Sequence, residues 1–165
     1  MHSIGNVYVG VIGGRICSRE IGKTAFETGR LIAEQGWILV CGGMGGVMEK
    51  ACEGSFAKGG ITLGILPGNC RKDGNPFLSY SIVTGLAEVR NSIVVKSCNG
   101  LIAISGSHGT LSEIAFANLY NIPVVGINTW ELPASENQDR RLDIARAENP
   151  EAAIELLKGF FKRKR

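Results

Sequence analysis

The sequence predicts an α/β protein with a mainly parallel β-sheet. Short apolar runs alternate along the chain with stretches whose apolar residues recur every three or four positions, the pattern of strands followed by helices. The runs are apolar throughout, as in strands buried on both faces of a sheet. The length of 165 residues and the 23 glycines fit one soluble domain with many tight turns. We therefore predict a single domain, residues 1–165, with a three-layer, Rossmann-like doubly wound fold and helices on both faces of the sheet.

Six apolar runs are predicted to form the strands. A Gly-Gly pair follows the first and the second run, and Pro67-Gly68 ends the third. The polar segment at residues 69–79 contains Gly74-Asn75-Pro76 and predicts a surface loop. The six runs are residues 7–12, 37–41, 61–66, 82–83, 101–104 and 124–127.

Apolar residues at helical spacing predict five helices. Pro150 suits the first residue of the last helix, because the N–H that proline lacks would have no helical acceptor there. Residues 129–141 are predicted to be irregular. The predicted helices cover residues 20–35, 47–56, 86–98 and 114–120, and a last segment that starts at residue 150.

The positive charge is concentrated at the C-terminal end. The net charge is +3, and residues 162–165 are all basic, so the rest of the chain is close to neutral. This distribution argues against a broad nucleic-acid interface. A solvated helix end explains the basic tail, and contact with nucleic acid or anionic lipid is the alternative.

The five cysteines form no CxxC pair and show no spacing typical of zinc ligands. We therefore predict reduced thiols, no metal site and a cytoplasmic protein. No apolar stretch approaches the roughly 20 residues that a membrane helix needs. Residues 1–14 lack the charged segment of an export signal, so we expect neither membrane insertion nor export.

Two nucleotide-binding motifs are incomplete in this sequence. Gly22-Lys23-Thr24 matches the end of a P-loop, but Cys17 stands where the motif needs its first glycine. The glycines after the first strand do not have the GxGxxG spacing, and no acidic residue near Cys41 would bind a ribose. The sequence thus predicts neither a nucleoside triphosphate site nor a dinucleotide site.

Two glycine-rich loops each connect the end of a strand to the start of a helix. They are residues 42–48 and residues 105–113. In a parallel sheet both loops open on the same edge, where ligands bind. The free N–H groups of a helix N-terminus favour a phosphate, so the two loops together predict a site for a phosphate and a sugar.

The same loops resemble two motifs of the LOG (Lonely Guy) family, whose members were once misannotated as lysine decarboxylases. Gly42-Gly43-Met44-Gly45-Gly46-Val47-Met48 is similar to GGxxGxM, and residues 105–113 are similar to PGGxGTxxE. The resemblance runs from Val7 to about Ile127 and extends to a branch that includes molybdenum cofactor carrier proteins. Ser105 and Ser107 stand where the family has proline and its second glycine.

The resemblance implies a site and two alternative functions. In LOG proteins the loops bind a nucleoside 5′-monophosphate, and an arginine and a glutamate, matched here by Arg90 and Glu113, cleave the N-glycosidic bond. Such an enzyme would release a free base and ribose 5-phosphate and would need no cofactor. The alternative is a non-catalytic carrier whose ligand is the molybdenum cofactor, with its pterin phosphate in the same loops. The implied ligand-binding residues are Gly42, Gly43, Gly45, Gly46, Met48, Ser105, Gly106, Ser107, His108, Gly109 and Thr110.

Further alternatives concern oligomeric state and single residues. The resemblance implies a homodimer or a higher homo-oligomer. Glu113 is explained equally by a helix cap in which Thr110 is the N-cap residue. Arg90 is either a solvated helix charge or a ligand contact, and His108 is either a general acid or a residue that shapes the loop. The serines in place of proline and glycine favour binding over catalysis, because serine still donates hydrogen bonds to phosphate.

Overall fold

The computed structural model describes residues 6–131 and 142–163, and within them seven parallel strands form one sheet. The strand order is β4-β3-β2-β1-β5-β6-β7. The strands are β1 Tyr8–Gly13, β2 Ile38–Cys41, β3 Thr62–Leu66, β4 Tyr80–Val83, β5 Gly100–Ile104, β6 Val124–Ile127 and β7 Ala145–Arg146.

Helices cover both faces of the sheet. One hydrophobic core lies between the sheet and α1, α2 and α5, and a second core lies between the opposite face and α3 and α4. The predicted three-layer, doubly wound α/β fold is therefore confirmed. The helices are α1 Arg19–Glu34, α2 Val47–Ala57, α3 Asn91–Lys96, α4 His108–Leu119 and α5 Pro150–Arg163.

Three element predictions need correction. Residues 86–98 do not form one helix: a 3-10 turn at Ala87–Arg90 precedes α3, because Gly85 and Ala87 both have positive φ. Helix α4 begins six residues before the predicted Ile114. Strand β7 was missed, since its two residues carry no periodicity. Of the segment predicted to be irregular, residues 132–141 lie outside the described part of the chain, as do residues 164–165 of the basic tail.

Helices α1 and α2 cross in direct backbone contact. A Cβ atom at Gly29 would overlap the carbonyl of Ala51, and one at Gly54 would overlap the carbonyl of Phe26. The two helices therefore pack closely side by side on one face of the sheet. This contact fixes the helix that starts directly after residues 42–46.

The order in which the chain adds strands to the sheet reverses between β1 and β5. From β1 the chain adds β2, β3 and β4 on one side, and then crosses to the other side to form β5. The loops after β1 and β5 therefore diverge above the sheet, which is where parallel α/β sheets open a crevice. None of the helices within residues 6–131 and 142–163 is long and apolar enough to cross a membrane.

Candidate ligand-binding site

A cavity of about 400 Å³ lies at this reversal point. Its volume falls within the range of small-molecule sites in proteins. Four segments form its wall: the loop after β1, the start of α2, the 3-10 turn with the start of α3, and the N-terminal half of α4. The lining residues are Gly13, Gly14, Arg15, Ile16, Met48, Glu88, Arg90, Asn91, Ser107, Gly109, Thr110 and Glu113.

Arg90 is a buried cation on the cavity wall. Its side chain is only 5% exposed, and its Nε–H has no hydrogen-bond acceptor among the described residues. Burial lowers the pKa of Arg90 below its ordinary value, and the charge of Glu113 partly offsets this. A buried guanidinium with an unsatisfied donor favours an anionic partner, because charged groups pay a high desolvation cost unless they are paired. The alternative of a solvated helix charge is wrong.

The guanidinium of Arg90 lies against the backbone of Gly42. A Cβ atom at Gly42 would stand 2.6 Å from Nη2 and 2.8 Å from Cζ of Arg90, distances that no real side chain tolerates. Glycine at this position therefore makes room for the arginine. The loop of residues 42–46 thus packs against Arg90 through Gly42 and does not itself line the cavity.

The remaining glycines of this loop serve its own folding. Gly43 and Gly46 have positive φ, which glycine adopts at low cost. A Cβ atom at Gly46 would overlap the carbonyl of Gly14, and the N–H of Val47 donates to that same carbonyl at 3.0 Å. The loop after β2 thus packs against the loop after β1, and Gly43, Gly45 and Gly46 lie off the cavity wall.

The N-terminus of α4 faces the cavity. Ser107 precedes its first residue, and the Ser107 N–H donates to Thr110 Oγ1 at 3.3 Å. The N–H groups of the first helical turn have no acceptor within the helix and carry the positive end of its dipole. Because Ser107, Gly109 and Thr110 line the cavity beside Arg90, this corner combines two attractions for an anion.

Glu113 lies in the second turn of α4, and its predicted role as a helix cap is wrong. The helix begins at His108, so the carboxylate cannot reach back to the N-cap residue Ser107. It is buried instead, with Oε1 3.9 Å from Nη1 of Arg90. Burial raises the pKa of Glu113 to about 7, although Arg90 opposes the shift. The carboxyl group therefore gains or loses a proton near neutral pH.

Polar contacts between α3 and α4 hold the Arg90–Glu113 pair at this separation. Asn91 Nδ2 donates to Ser112 Oγ at 3.0 Å, and Ser112 Oγ donates to the carbonyl of Gly109 at 2.7 Å. Asn91 directly follows Arg90, and Ser112 directly precedes Glu113. The two charged side chains are thus positioned by their neighbours.

Three predicted ligand-binding residues of the second loop lie beside the cavity and not on its wall: Ser105, Gly106 and His108. The hydroxyl of Thr129 donates to the carbonyl of Ser105 at 2.6 Å. The ring of His108 packs near that of Trp130, with centroids 6.3 Å apart. These contacts shape the loop, so the geometry agrees with a loop role for His108.

The loop after β1 is the part of the site that sequence reasoning missed. Gly13-Gly14 was interpreted as the end of a strand and rejected as a dinucleotide motif, yet residues 13–16 form one side of the cavity. Ile16 is 92% exposed, which is unusual for an isoleucine and leaves it free to contact a ligand. Arg15 reaches across the mouth to Glu88, with Nη2 3.8 Å from Oε1. No local sequence pattern signals this role, because the loop lies beside α4 only as a result of the pairing of β1 with β5.

The sheet order and the cavity define a protein of Rossmann-like fold with a ligand-binding crevice where the strand order reverses, and comparison with known families confirms the predicted LOG-like resemblance. The family model described as the SLOG cluster4 family matches residues 6–154, and the chain belongs to this family.

Two solved structures are similar over nearly the whole chain. A molybdenum cofactor binding protein from Rippkaea orientalis is 35% identical with a TM-score of 0.87, covering 96% of this chain and 99% of the other. The molybdenum cofactor carrier protein from Chlamydomonas reinhardtii is 33% identical with a TM-score of 0.84, and the coverage is the same. An uncharacterised protein of Archaeoglobus fulgidus is 44% identical over 110 residues, which are 66% of this chain and 72% of that protein.

Proposed function

We propose that the protein is a non-catalytic carrier that binds a phosphorylated pterin of the molybdenum cofactor type in the cavity. The observation that carries the proposal is the buried Arg90, whose Nε–H is unsatisfied beside the N-terminus of α4. A phosphate in this corner accepts from Arg90 and from the first amides of α4. The near-complete overlap with molybdenum cofactor binding and carrier proteins supports the choice of ligand.

The rest of the cavity suits a planar heterocycle. Ile16 and Met48 supply apolar surface, while Glu88 supplies acceptors and Arg15 supplies donors at the cavity mouth. A pterin ring needs this combination, since its faces are apolar and its edge carries hydrogen-bonding groups. Small-ligand sites generally combine apolar walls with a few polar groups that fix orientation.

We further propose that the chain forms a homo-oligomer through exposed apolar side chains of the edge strand β4 and of the 3-10 turn. Tyr80 and Ile82 pair with Leu63 and Ile65, so they lie on the sheet face that carries α3, and both are exposed. Val89 of the adjacent 3-10 turn is 70% exposed. Large apolar side chains that are exposed side by side mark an interaction site more often than free surface.

A native mass spectrum of the protein, purified from a host that makes the cofactor, tests both proposals. We expect a bound pterin at about one per chain and a mass that is a multiple of the single chain. Arg90→Met should lose the pterin, whereas Arg71→Met, which removes the same charge from an exposed turn, should keep it. A folded wild-type protein that neither carries a pterin nor binds one when it is added would contradict the carrier proposal.

A LOG-like phosphoribohydrolase is the second candidate, and the raised pKa of Glu113 is the observation that favours it. A carboxyl group that titrates near neutral pH beside the anion site can activate water or stabilise an oxocarbenium-like sugar. Incubation with a panel of nucleoside 5′-monophosphates separates the two functions. The carrier proposal predicts that the nucleotides stay intact. Release of free base that disappears in Glu113→Gln would establish the hydrolase in its place.

A further inference from the structure

Two thiols that the site does not use lie directly beneath it. Cys41 is the last residue of β2, and Cys52 lies in the second turn of α2. Both are completely buried, and their Sγ atoms are 3.5 Å apart. Thiols are usually scattered in a core as small apolar groups, so a direct contact between two of them needs a separate explanation.

The surroundings make the two thiols chemically unequal. The N–H of Gly43 donates to Cys41 Sγ at 3.3 Å. The contact with Cys52, this N–H and the charge of Arg90 together lower the pKa of Cys41, whereas the same contact and burial raise the pKa of Cys52. Cys41 is therefore the nucleophile of the pair, and Cys52 is the thiol that remains protonated beside it.

We propose that Cys41 and Cys52 are an oxidation site that a hydroperoxide converts to a disulfide. The Cys41 thiolate attacks the peroxide oxygen and becomes a sulfenic acid, while the other oxygen leaves as water or alcohol after it takes up a proton. Cys52 then attacks the Cys41 sulfur, its thiol proton goes to the departing hydroxyl, and a second water leaves. The two sulfur atoms lose two electrons in all, and the peroxide gains them.

Closing the disulfide must displace the loop that supports Arg90. The sulfur atoms have to approach from 3.5 Å to about 2.05 Å. Helix α2 resists a shift towards α1, because the two backbones are already in contact at Gly29 and Gly54. The movement therefore falls on Cys41 and on Gly42 directly after it. Gly42 has no spare room against the guanidinium, so Arg90 moves with it.

The loop is also tied to a second segment, which shows how oxidant reaches buried thiols. The N–H of Asn75 donates to the carbonyl of Gly43 at 2.9 Å, and its Nδ2 donates to the carbonyl of Met44 at 3.2 Å. Asn75 also lies beside Cys52, so we infer that opening these two bonds is the route by which an oxidant reaches the dithiol. Oxidation is consequently slow and limited by local opening.

Peptide mapping of the reduced protein after exposure to hydrogen peroxide tests the site. We expect a Cys41–Cys52 cross-link with the loss of two hydrogen atoms, reversed by dithiothreitol. In Cys52→Ser the oxidation should stop at a sulfenic acid on Cys41 that dimedone traps. The peptide map of the wild-type protein tests for the cross-link without any variant, so the test holds even if a substitution impairs folding. Peroxide that modifies exposed Cys70 and leaves Cys41 and Cys52 as thiols in the folded protein would overturn the proposal.

The effect on the cavity is measured separately, and this part rests on the proposed function. With inorganic phosphate as the probe, we expect the oxidised protein to bind several-fold more weakly and to recover after reduction. If the oxidised and the reduced protein bound phosphate with equal affinity, the proposed coupling between the disulfide and Arg90 would be overturned. Absence of phosphate binding in both states would instead count against the proposed function, since the cross-link is read without any ligand.

Discussion

Arg90→Met should weaken the binding of phosphate-bearing ligands by about two orders of magnitude, which corresponds to about 3 kcal/mol. The substitution removes the buried cation on the cavity wall and keeps an apolar stem of similar length. The fold should survive, because the buried Glu113 that loses its partner can take up a proton and stay neutral. The change also removes the group that opposes the raised pKa of Glu113, so this carboxyl stays protonated to higher pH. Isothermal titration with inorganic phosphate and with a nucleoside monophosphate measures the loss.

A pair of glycine variants separates the charge of Arg90 from its position. Gly42→Ala keeps the charge but pushes the guanidinium away, because the new Cβ would stand 2.6 Å from Nη2. We expect roughly a tenfold loss of phosphate affinity with little change in stability, since the far end of a flexible side chain moves at low cost. Gly159→Ala is the matched control, because a Cβ there meets no atom within 4 Å. Full affinity in both Arg90→Met and Gly42→Ala would rule out the anion site.

The sequence predicts most of the sheet because each buried strand is a continuous apolar run. Strands β1, β2, β3, β5 and β6 follow from runs of this kind, and α1 and α5 follow from their periodicity. The 3-10 turn before α3 could not be foreseen, since Ala87 at its start adopts a positive φ that alanine rarely takes. Local pattern indicated a helix there, and tertiary context overrode it.

The candidate site was predictable only in part. Arg90 and Glu113 follow from the family resemblance, and both line the cavity. The burial of Arg90, its contact with Gly42 and the position of the loop after β1 all depend on which strands are neighbours. Strand order is a non-local property, and periodicity within one segment does not record it. For this reason Gly43, Gly45 and Gly46 were predicted to contact the ligand, whereas in the structure they lie off the cavity wall.

Glu113→Gln should raise the free energy of unfolding above pH 7 and leave it nearly unchanged at pH 4. The pKa of Glu113 is about 7 in the folded protein and 4.5 at its ordinary value. Below pH 4.5 the carboxyl group is protonated in both states, so ionisation costs nothing. Between pH 4.5 and 7 the unfolded chain releases this proton while the folded chain retains it, and stability falls as the pH rises. The difference between the two pKa values of Glu113 corresponds to a loss of at most about 3 kcal/mol of unfolding free energy at high pH. The neutral amide of glutamine avoids this loss.

Urea unfolding at several pH values between 4 and 9 measures this difference. Glu148→Gln is the control, because it makes the same substitution at an exposed glutamate. A stability gain of Glu113→Gln that does not depend on pH would contradict a buried carboxyl that titrates near neutrality. The same ionisation should affect the ligand: above pH 7 a charged Glu113 neutralises Arg90 and repels a phosphate in the corner. Phosphate affinity should therefore fall through pH 7 in the wild-type protein and fall much less in Glu113→Gln, which connects the stability of the fold to the loading of its cavity.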